Sequence, residues 1–370
     1  MSRGRVVRRA HALSRGMVVP TLLADDVRLL VGSPRRWEPL RDARVFLTGG
    51  TGFVGRWLLA AFVHANREHA LDARVDVLTR DPDAFAHKCP DLASDDAVTL
   101  VPGDVRTADA ARTTYTHVIH GATPSDADMN ERRPHEMLEI IESGTRRMLG
   151  LAAHTRARRF LLLSSGAVYE PPAPPGGFAE SSPRGALWPI ERSAYHAGKR
   201  RAEDLTQAAH DAGLSVTVAR LFAFVGPHLP LDRHFAIGNF IADALAGRSI
   251  QIRGDGSPVR SYLYAADMAI WLWIMLLHEQ ASGATYNVGS ECAISIAETA
   301  SLVAAESGAK RKVIVLGSRG SGAGDWYVPS TRRARDELGV SESVDLSEAV
   351  RRTIAWSREA VALPRENGGS

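Results

Sequence analysis

The sequence predicts an α/β protein built on a doubly wound parallel sheet, and three observations predict it. From Arg44 to Arg220 short β-rich runs alternate with helical stretches, as a parallel sheet with crossover helices requires. A glycine-rich turn separates the first run from the first helix. Composition agrees, because 45% hydrophobic and 24% charged residues over 370 positions describe a chain with enough apolar material for one large domain or two unequal ones.

The elements follow in order. Strands are expected at Arg44–Thr48, Arg74–Leu78, Val98–Val101, His117–His120, Phe160–Ser164 and Ser215–Arg220, with helices at Val54–Asn66, Glu136–His154 and Ala194–Ala212. Pro171 to Gly177, PPAPPGG, belongs in a surface loop, since proline lacks the N–H that helix and strand interiors need. Past Arg220 the rhythm shortens around Pro227, Pro230, the turn at Gly254 to Gly256 and the glycine-rich stretch from Ser318 to Gly324. The expected division is a basic, partly disordered N-terminal arm over 1–40, a dinucleotide-binding domain over 41–225 and a tail over 357–370. Residues 226–356 between them form mainly a substrate region, some of whose segments return to the first domain.

Composition also excludes classes. Two cysteines, Cys89 and Cys292, with no CxxC spacing argue against a disulfide framework or a structural zinc site, and fit a cytoplasmic location. The apolar stretch from Met268 to Leu277 is half the length of a membrane span, roughly 20 residues, and reads as a buried helix with Trp271 and Trp273 in the core. The net charge of +3 is concentrated in an arm carrying Arg3, Arg5, Arg8, Arg9 and Arg15, so the remainder offers no basic face to nucleic acid. That arm lacks the apolar region of an export signal, and Met17 is an alternative start. Thirteen histidines include no HExxH or similar ligand spacing, so no metal is expected.

The turn Thr48-Gly-Gly-Thr-Gly-Phe-Val-Gly55 sets Gly50, Gly52 and Gly55 in a GxGxxG spacing, between a strand and a helix. A turn without side chains lets backbone N–H groups at the helix start approach a pyrophosphate, the arrangement of a Rossmann-like sheet. Gly49, Gly50, Gly52, Phe53, Val54 and Gly55 are therefore expected to hold a nicotinamide dinucleotide. The second strand ends at Arg80, where an arginine can accept a ribose 2′-phosphate, so NADP(H) is expected, with NAD(H) as the alternative. Asp104 follows the third strand, placed either to accept the adenine amino group or to cap a helix.

Tyr195 and Lys199, four apart on a helix, share one face. A phenol titrates too high to work at neutral pH, and a neighbouring ammonium together with the positive nicotinamide ring is expected to lower it. A hydroxyl at the end of the preceding strand, Ser164 or Ser165, would polarise the same substrate oxygen.

With these pieces in place the chain resembles the NAD-dependent epimerase/dehydratase family of extended short-chain dehydrogenases over about 42–356. The matching segments are TGGTGFVG at 48–55, GDV at 103–105, HGA at 120–122, SSGAVYE at 164–170, YHAGK at 195–199, RLFAFVGP at 220–227, RSYLYAAD at 260–267 and YNVG at 286–289. The resemblance implies Ser165 as the hydroxyl partner, Tyr195 as acid/base and Lys199 as ribose ligand. It also implies cofactor contacts at Val105, Gly121 and Ala122, and Arg260 on the diphosphate of a nucleotide-sugar substrate. Similar enzymes often pair through the helices before the serine strand and at the tyrosine, so a homodimer is expected.

Departures from the family pattern narrow the reaction. Dehydratases of similar sequence place an acid and a base directly after the hydroxyl residue, where this chain has Gly166 and Ala167, and similar decarboxylases carry a glutamate at the position of Ala167. Ala223 replaces the asparagine usual in the RLFNxxGP-like stretch. Net reduction of a 4-keto-6-deoxy sugar nucleotide with NADP(H) is expected, with NAD-dependent 4-epimerisation as the alternative. A non-catalytic dinucleotide sensor would normally have lost Tyr195 or Lys199, and both are present.

Overall fold

The structure, a computed structural model, describes residues 22–108, 113–124, 127–185, 190–233, 235–308, 311–317 and 325–362. Residues 1–21, which contain Met17 and the arginine-rich run, lie outside that set, as does the glycine-rich stretch at 318–324.

Seven parallel strands form the central sheet. The first six in chain order are β1 (Arg44–Thr48), β2 (Arg74–Thr79), β3 (Val98–Pro102), β4 (His117–His120), β5 (Arg159–Ser165) and β6 (Val216–Leu221); the seventh is Thr285–Val288. Their spatial order is Thr285–Val288, β6, β5, β4, β1, β2, β3. The direction of winding therefore reverses between β1 and β4, and a crevice opens there at the strands' C-terminal ends. Runs such as Phe160-Leu-Leu-Leu163 are buried along their whole length because helices cover both faces of the sheet. The sequence reading placed these strands within a residue or so of their ends. It did not include Thr285–Val288, which pairs with β6 and contains the asparagine of YNVG.

Helices Phe53–Glu68 and Ala265–Leu277 lie on one face. The second is apolar on all sides and correspondingly buried, with Trp271 and Trp273 in the core. Trp273 donates to the Leu58 carbonyl of its neighbour, 3.1 Å away. Helices Pro134–His154 and Ile190–Asp211 cover the other face and pack along each other.

Two expected boundaries change. Part of the arm folds: helix Ala24–Val31 and the turn Pro34–Trp37 bury Leu30, Trp37 and Leu40 against the first helical layer. Buried Asp26 accepts from the Tyr264 hydroxyl at 2.7 Å and pairs with Arg352 at 2.7 Å. The arginines of residues 1–16 dominate the sequence reading of the arm, whereas residues 22–40 are rich in leucine and valine, and the partners of Asp26 lie more than two hundred positions away. The expected tail also begins late, because helix Leu346–Ala362 runs through residue 357. Among the described residues no helix is long and apolar enough to cross a membrane.

Candidate active site

Four strand ends build the site. β1 runs into the glycine turn, where Gly49 adopts φ +76°, a left-handed conformation that strains any residue with a side chain. A Cβ on Gly49 would also stand 2.6 Å from the backbone of Gly121, at the end of β4. The Thr48 hydroxyl ties the two ends together by accepting from the N–H groups of Gly121 and Ala122 at 3.2 and 3.1 Å. Gly55 packs its Cα against the turn, where an added Cβ would meet the Gly49 carbonyl oxygen at 2.2 Å. Gly52 caps helix Phe53–Glu68 and faces open space, with only the Gly49 carbonyl oxygen near a Cβ placed there, at 3.4 Å. An open helix N-terminus without side chains fits a dinucleotide pyrophosphate, with Phe53 and Val54 opening the helix behind it.

β5 delivers Ser165, and helix Ile190–Asp211 delivers Tyr195 and Lys199. The Tyr195 phenol lies near enough to the Ser165 hydroxyl to be lowered by it in part. The buried Lys199 ammonium donates to the Thr123 hydroxyl at 2.8 Å and the Leu163 carbonyl at 2.7 Å, and lies 5.8 Å from the centre of the Tyr195 ring. Burial pushes Lys199 down to about 7, opposed by the nearby Glu203 carboxylate. Burial likewise raises the Tyr195 phenol, and the nearby Ser165 hydroxyl only partly offsets this. Among the chain's own groups desolvation prevails, and the lowering expected from the lysine and the nicotinamide ring together is left to the bound cofactor.

Ser164 points away from this set. Its hydroxyl donates to Glu203 at 2.6 Å, and Glu203 in turn holds the buried Arg220 guanidinium at 2.7 Å. Glu203 lies one helical turn beyond Lys199, so this network clamps the serine strand onto the tyrosine helix.

The remaining expected residues are spread around the crevice. Arg80 is exposed at the end of β2 and acts electrostatically on Asp104. The Asp104 carboxylate accepts from the Arg106 guanidinium at 2.8 Å and the Arg106 N–H at 2.9 Å, and these hold it below the usual carboxylate range. Asp104 thus stabilises a turn, with no helix starting there among the described residues, and its outer edge stays accessible. The Val105 side chain packs into the core beside Gly144, which leaves only its backbone for a ligand. Arg260 lies 5.8 Å from the centre of the Tyr327 ring and pairs with Asp325 at 2.6 Å. Among the described residues no cluster of three or more His, Cys, Asp or Glu could hold a metal ion.

Three contacts were missed from sequence. Thr123 follows the HGA segment directly and Glu203 falls at helical spacing from Lys199, so both had a positional signal. Tyr327 had none. It sits beyond every matching segment, yet its hydroxyl occupies the space next to Gly166, where a Cβ would meet it at 2.7 Å.

A sequence profile described as the NAD dependent epimerase/dehydratase family matches residues 45–289, from β1 through the seventh strand. The chain belongs to this family. UDP-glucuronic acid decarboxylase 1 of Arabidopsis thaliana is 28% identical over 338 residues, covering 88% of this chain and 72% of the relative. Among solved structures, an epimerase from Methanothermobacter thermautotrophicus superposes with a TM-score of 0.77 at 22% identity, over 90% of this chain and 96% of that one. UDP-glucose 4-epimerase from Thermotoga maritima, solved with UDP-glucose, gives 0.73 at 18% identity over 86% and 99%. At these identities the solved structures show the shared fold, and this family member's chemistry must be argued from its own residues.

Proposed function

We propose that this family member oxidises or reduces a single sugar carbon of a nucleotide sugar, and that its net reaction is NADPH-dependent reduction of a 4-keto-6-deoxy sugar. The observation that carries the reading is the space beside Ser165. A Cβ on Gly166 would stand 2.7 Å from both Phe222 Cζ and the Tyr327 hydroxyl, so the carboxylate used for elimination has neither a residue nor room. The next position, Ala167, supplies no carboxylate either, which weighs against decarboxylation despite the sequence similarity to UDP-glucuronic acid decarboxylase 1. Ser165, Tyr195 and Lys199 are left, and they suit carbonyl and alcohol chemistry.

A bound nicotinamide dinucleotide supplies the hydride and, once oxidised, a positive ring that lowers the neighbouring phenol. The chain's residues handle the proton. Tyr195, held protonated at neutral pH by burial, delivers its proton to the sugar oxygen. Ser165 polarises that oxygen with a hydrogen bond. Lys199, anchored by Thr123 and Leu163, steadies the phenolate that remains.

The NADPH half rests on Arg80. Its replacement by alanine is expected to weaken NADPH relative to NADH by roughly tenfold to a hundredfold, the equivalent of a charge-assisted contact of about 1.5–3 kcal/mol. Binding titrations with both cofactors check this, and equal weakening of the two removes the NADPH assignment.

The second reading is NAD-dependent 4-epimerisation, favoured by the similarity to a solved UDP-glucose 4-epimerase. Mass spectrometry of the nucleotide released on denaturing the purified protein separates the two. An exchanging reductase leaves purification with little NAD, whereas an epimerase that recycles its cofactor carries NAD in near-stoichiometric amount.

A further inference from the structure

His120 closes a buried network between the glycine turn and the helix behind it. It is the last residue of β4, and its ring lies between Thr48 at the end of β1 and Thr145 on helix Pro134–His154. All three side chains are buried. The ring meets the Thr48 hydroxyl through Nδ1 at 2.8 Å and the Thr145 hydroxyl through Nε2 at 3.2 Å.

Counting donors and acceptors fixes which nitrogen carries the proton. A threonine hydroxyl has one proton and two lone pairs. Thr48 Oγ1 accepts from the Ala122 N–H at 3.1 Å and from the Gly121 N–H at 3.2 Å, the latter shared with the Thr48 carbonyl oxygen at 3.1 Å. With both lone pairs engaged, the Thr48 proton points at His120, so Nδ1 accepts it. At the other end Thr145 directs its proton to the Ile141 carbonyl oxygen at 2.7 Å, so it faces Nε2 with a lone pair and Nε2 donates. Both ends demand the same neutral tautomer, with the proton on Nε2. Burial, with the Lys199 ammonium nearby, pushes the ring down to about 3, so it stays neutral through the physiological range.

We propose that His120 is a positioning residue of the dinucleotide site: as acceptor for the Thr48 hydroxyl, it turns that oxygen's lone pairs to the Gly121 and Ala122 N–H groups and so holds the end of β4 against the glycine turn. The gap it sets is the crevice where the winding reverses, and there a Cβ on Gly49 would stand 2.6 Å from Gly121. Without an acceptor at Nδ1 the Thr48 hydroxyl turns toward another partner, and its lone pairs leave the two N–H groups. This role rests on the proposed dinucleotide site and is the same for reduction and for epimerisation.

The test uses the full chain. With the histidine rings isotope-labelled at nitrogen and His120 assigned by its loss in His120→Asn, its ring is expected to show a bare Nδ1 and a protonated Nε2 at neutral pH. A protonated Nδ1 overturns the proposal. Binding titrations with NADPH and NADH then compare His120→Asn, whose amide oxygen can sit where Nδ1 was, with His120→Gln, whose amide lies one bond further out. Asparagine is expected to keep both affinities within about twofold of the parent, and glutamine to weaken both by roughly fivefold to tenfold, the range for one hydrogen bond. In a Thr48→Val background the two variants should bind alike, since the hydroxyl that Nδ1 serves is gone. Equal losses in both variants with Thr48 present, or an undiminished difference in its absence, overturn the proposal. If His120→Gln does not fold, a matching loss of affinity in folded His120→Asn overturns it just the same. The Gly121 and Ala122 amide resonances keep this role apart from the functional reading: without nucleotide, they should move in His120→Gln and stay in place in His120→Asn. A parent that binds neither dinucleotide sinks the functional reading, and those resonances then decide the role of His120, upheld by a shift in the glutamine variant alone and overturned by equal shifts.

Discussion

Tyr195→Phe is expected to lower turnover at least ~10²-fold, the lower range for removing a general acid, while dinucleotide affinity stays near that of the parent. The substitution removes only the phenolic hydroxyl and leaves the ring beside Lys199 in place. The glycine turn, which belongs to β1 and its helix, is untouched. Steady-state rates with parallel cofactor titrations check both halves. A rate within a few-fold of the parent would show that another group carries the proton.

A second large effect is expected away from the chemistry. Glu203→Ala should destabilise the fold by about 3–5 kcal/mol, the range for stripping one partner from a buried ion pair. Both side chains of the Arg220–Glu203 pair are about one-twentieth exposed, so Arg220 would keep a buried charge with no carboxylate to meet it. Ser164 would lose its acceptor at the same time, loosening the contact between β5 and the tyrosine helix. Denaturant unfolding measures the loss. A change below about 1 kcal/mol, typical of surface positions, would mean that water reaches this network and that the clamp is not what aligns Ser165 with Tyr195.

Much of this arrangement was legible in the sequence, because the features that build it are local. The strands β1 to β6 showed as short apolar runs, and the glycine turn as a spacing whose backbone demands only glycine meets at Gly49 and Gly55. Tyr195 and Lys199 showed as a helical repeat. What sequence reading missed is long-range. Asp26 finds Tyr264 and Arg352 only in three dimensions, so a segment read as a charged arm folds into the core from residue 22 on. Tyr327 comes to stand against Gly166 from 161 positions away through pairing with Val259–Arg260, a strand of two residues with no periodic signature. The Tyr195 phenol was expected to be lowered by its lysine neighbour together with the positive nicotinamide ring; within the chain alone burial raises it. Gly166 shows both limits, since its missing carboxylate was plain in the sequence while the packing of Phe222 and Tyr327 that closes the space was not.

The most direct test of the proposed reaction supplies a nucleotide-linked 4-keto-6-deoxy sugar with NADPH and follows the near-ultraviolet absorbance of the reduced cofactor alongside the sugar product. The expected result is one NADPH oxidised for each sugar reduced, with the new hydrogen at C4 and the rate lost in Tyr195→Phe. Interconversion of two C4 epimers supplied without a ketone, with no net change in reduced cofactor and no reduction of any 4-ketosugar, would contradict the account and establish the epimerase.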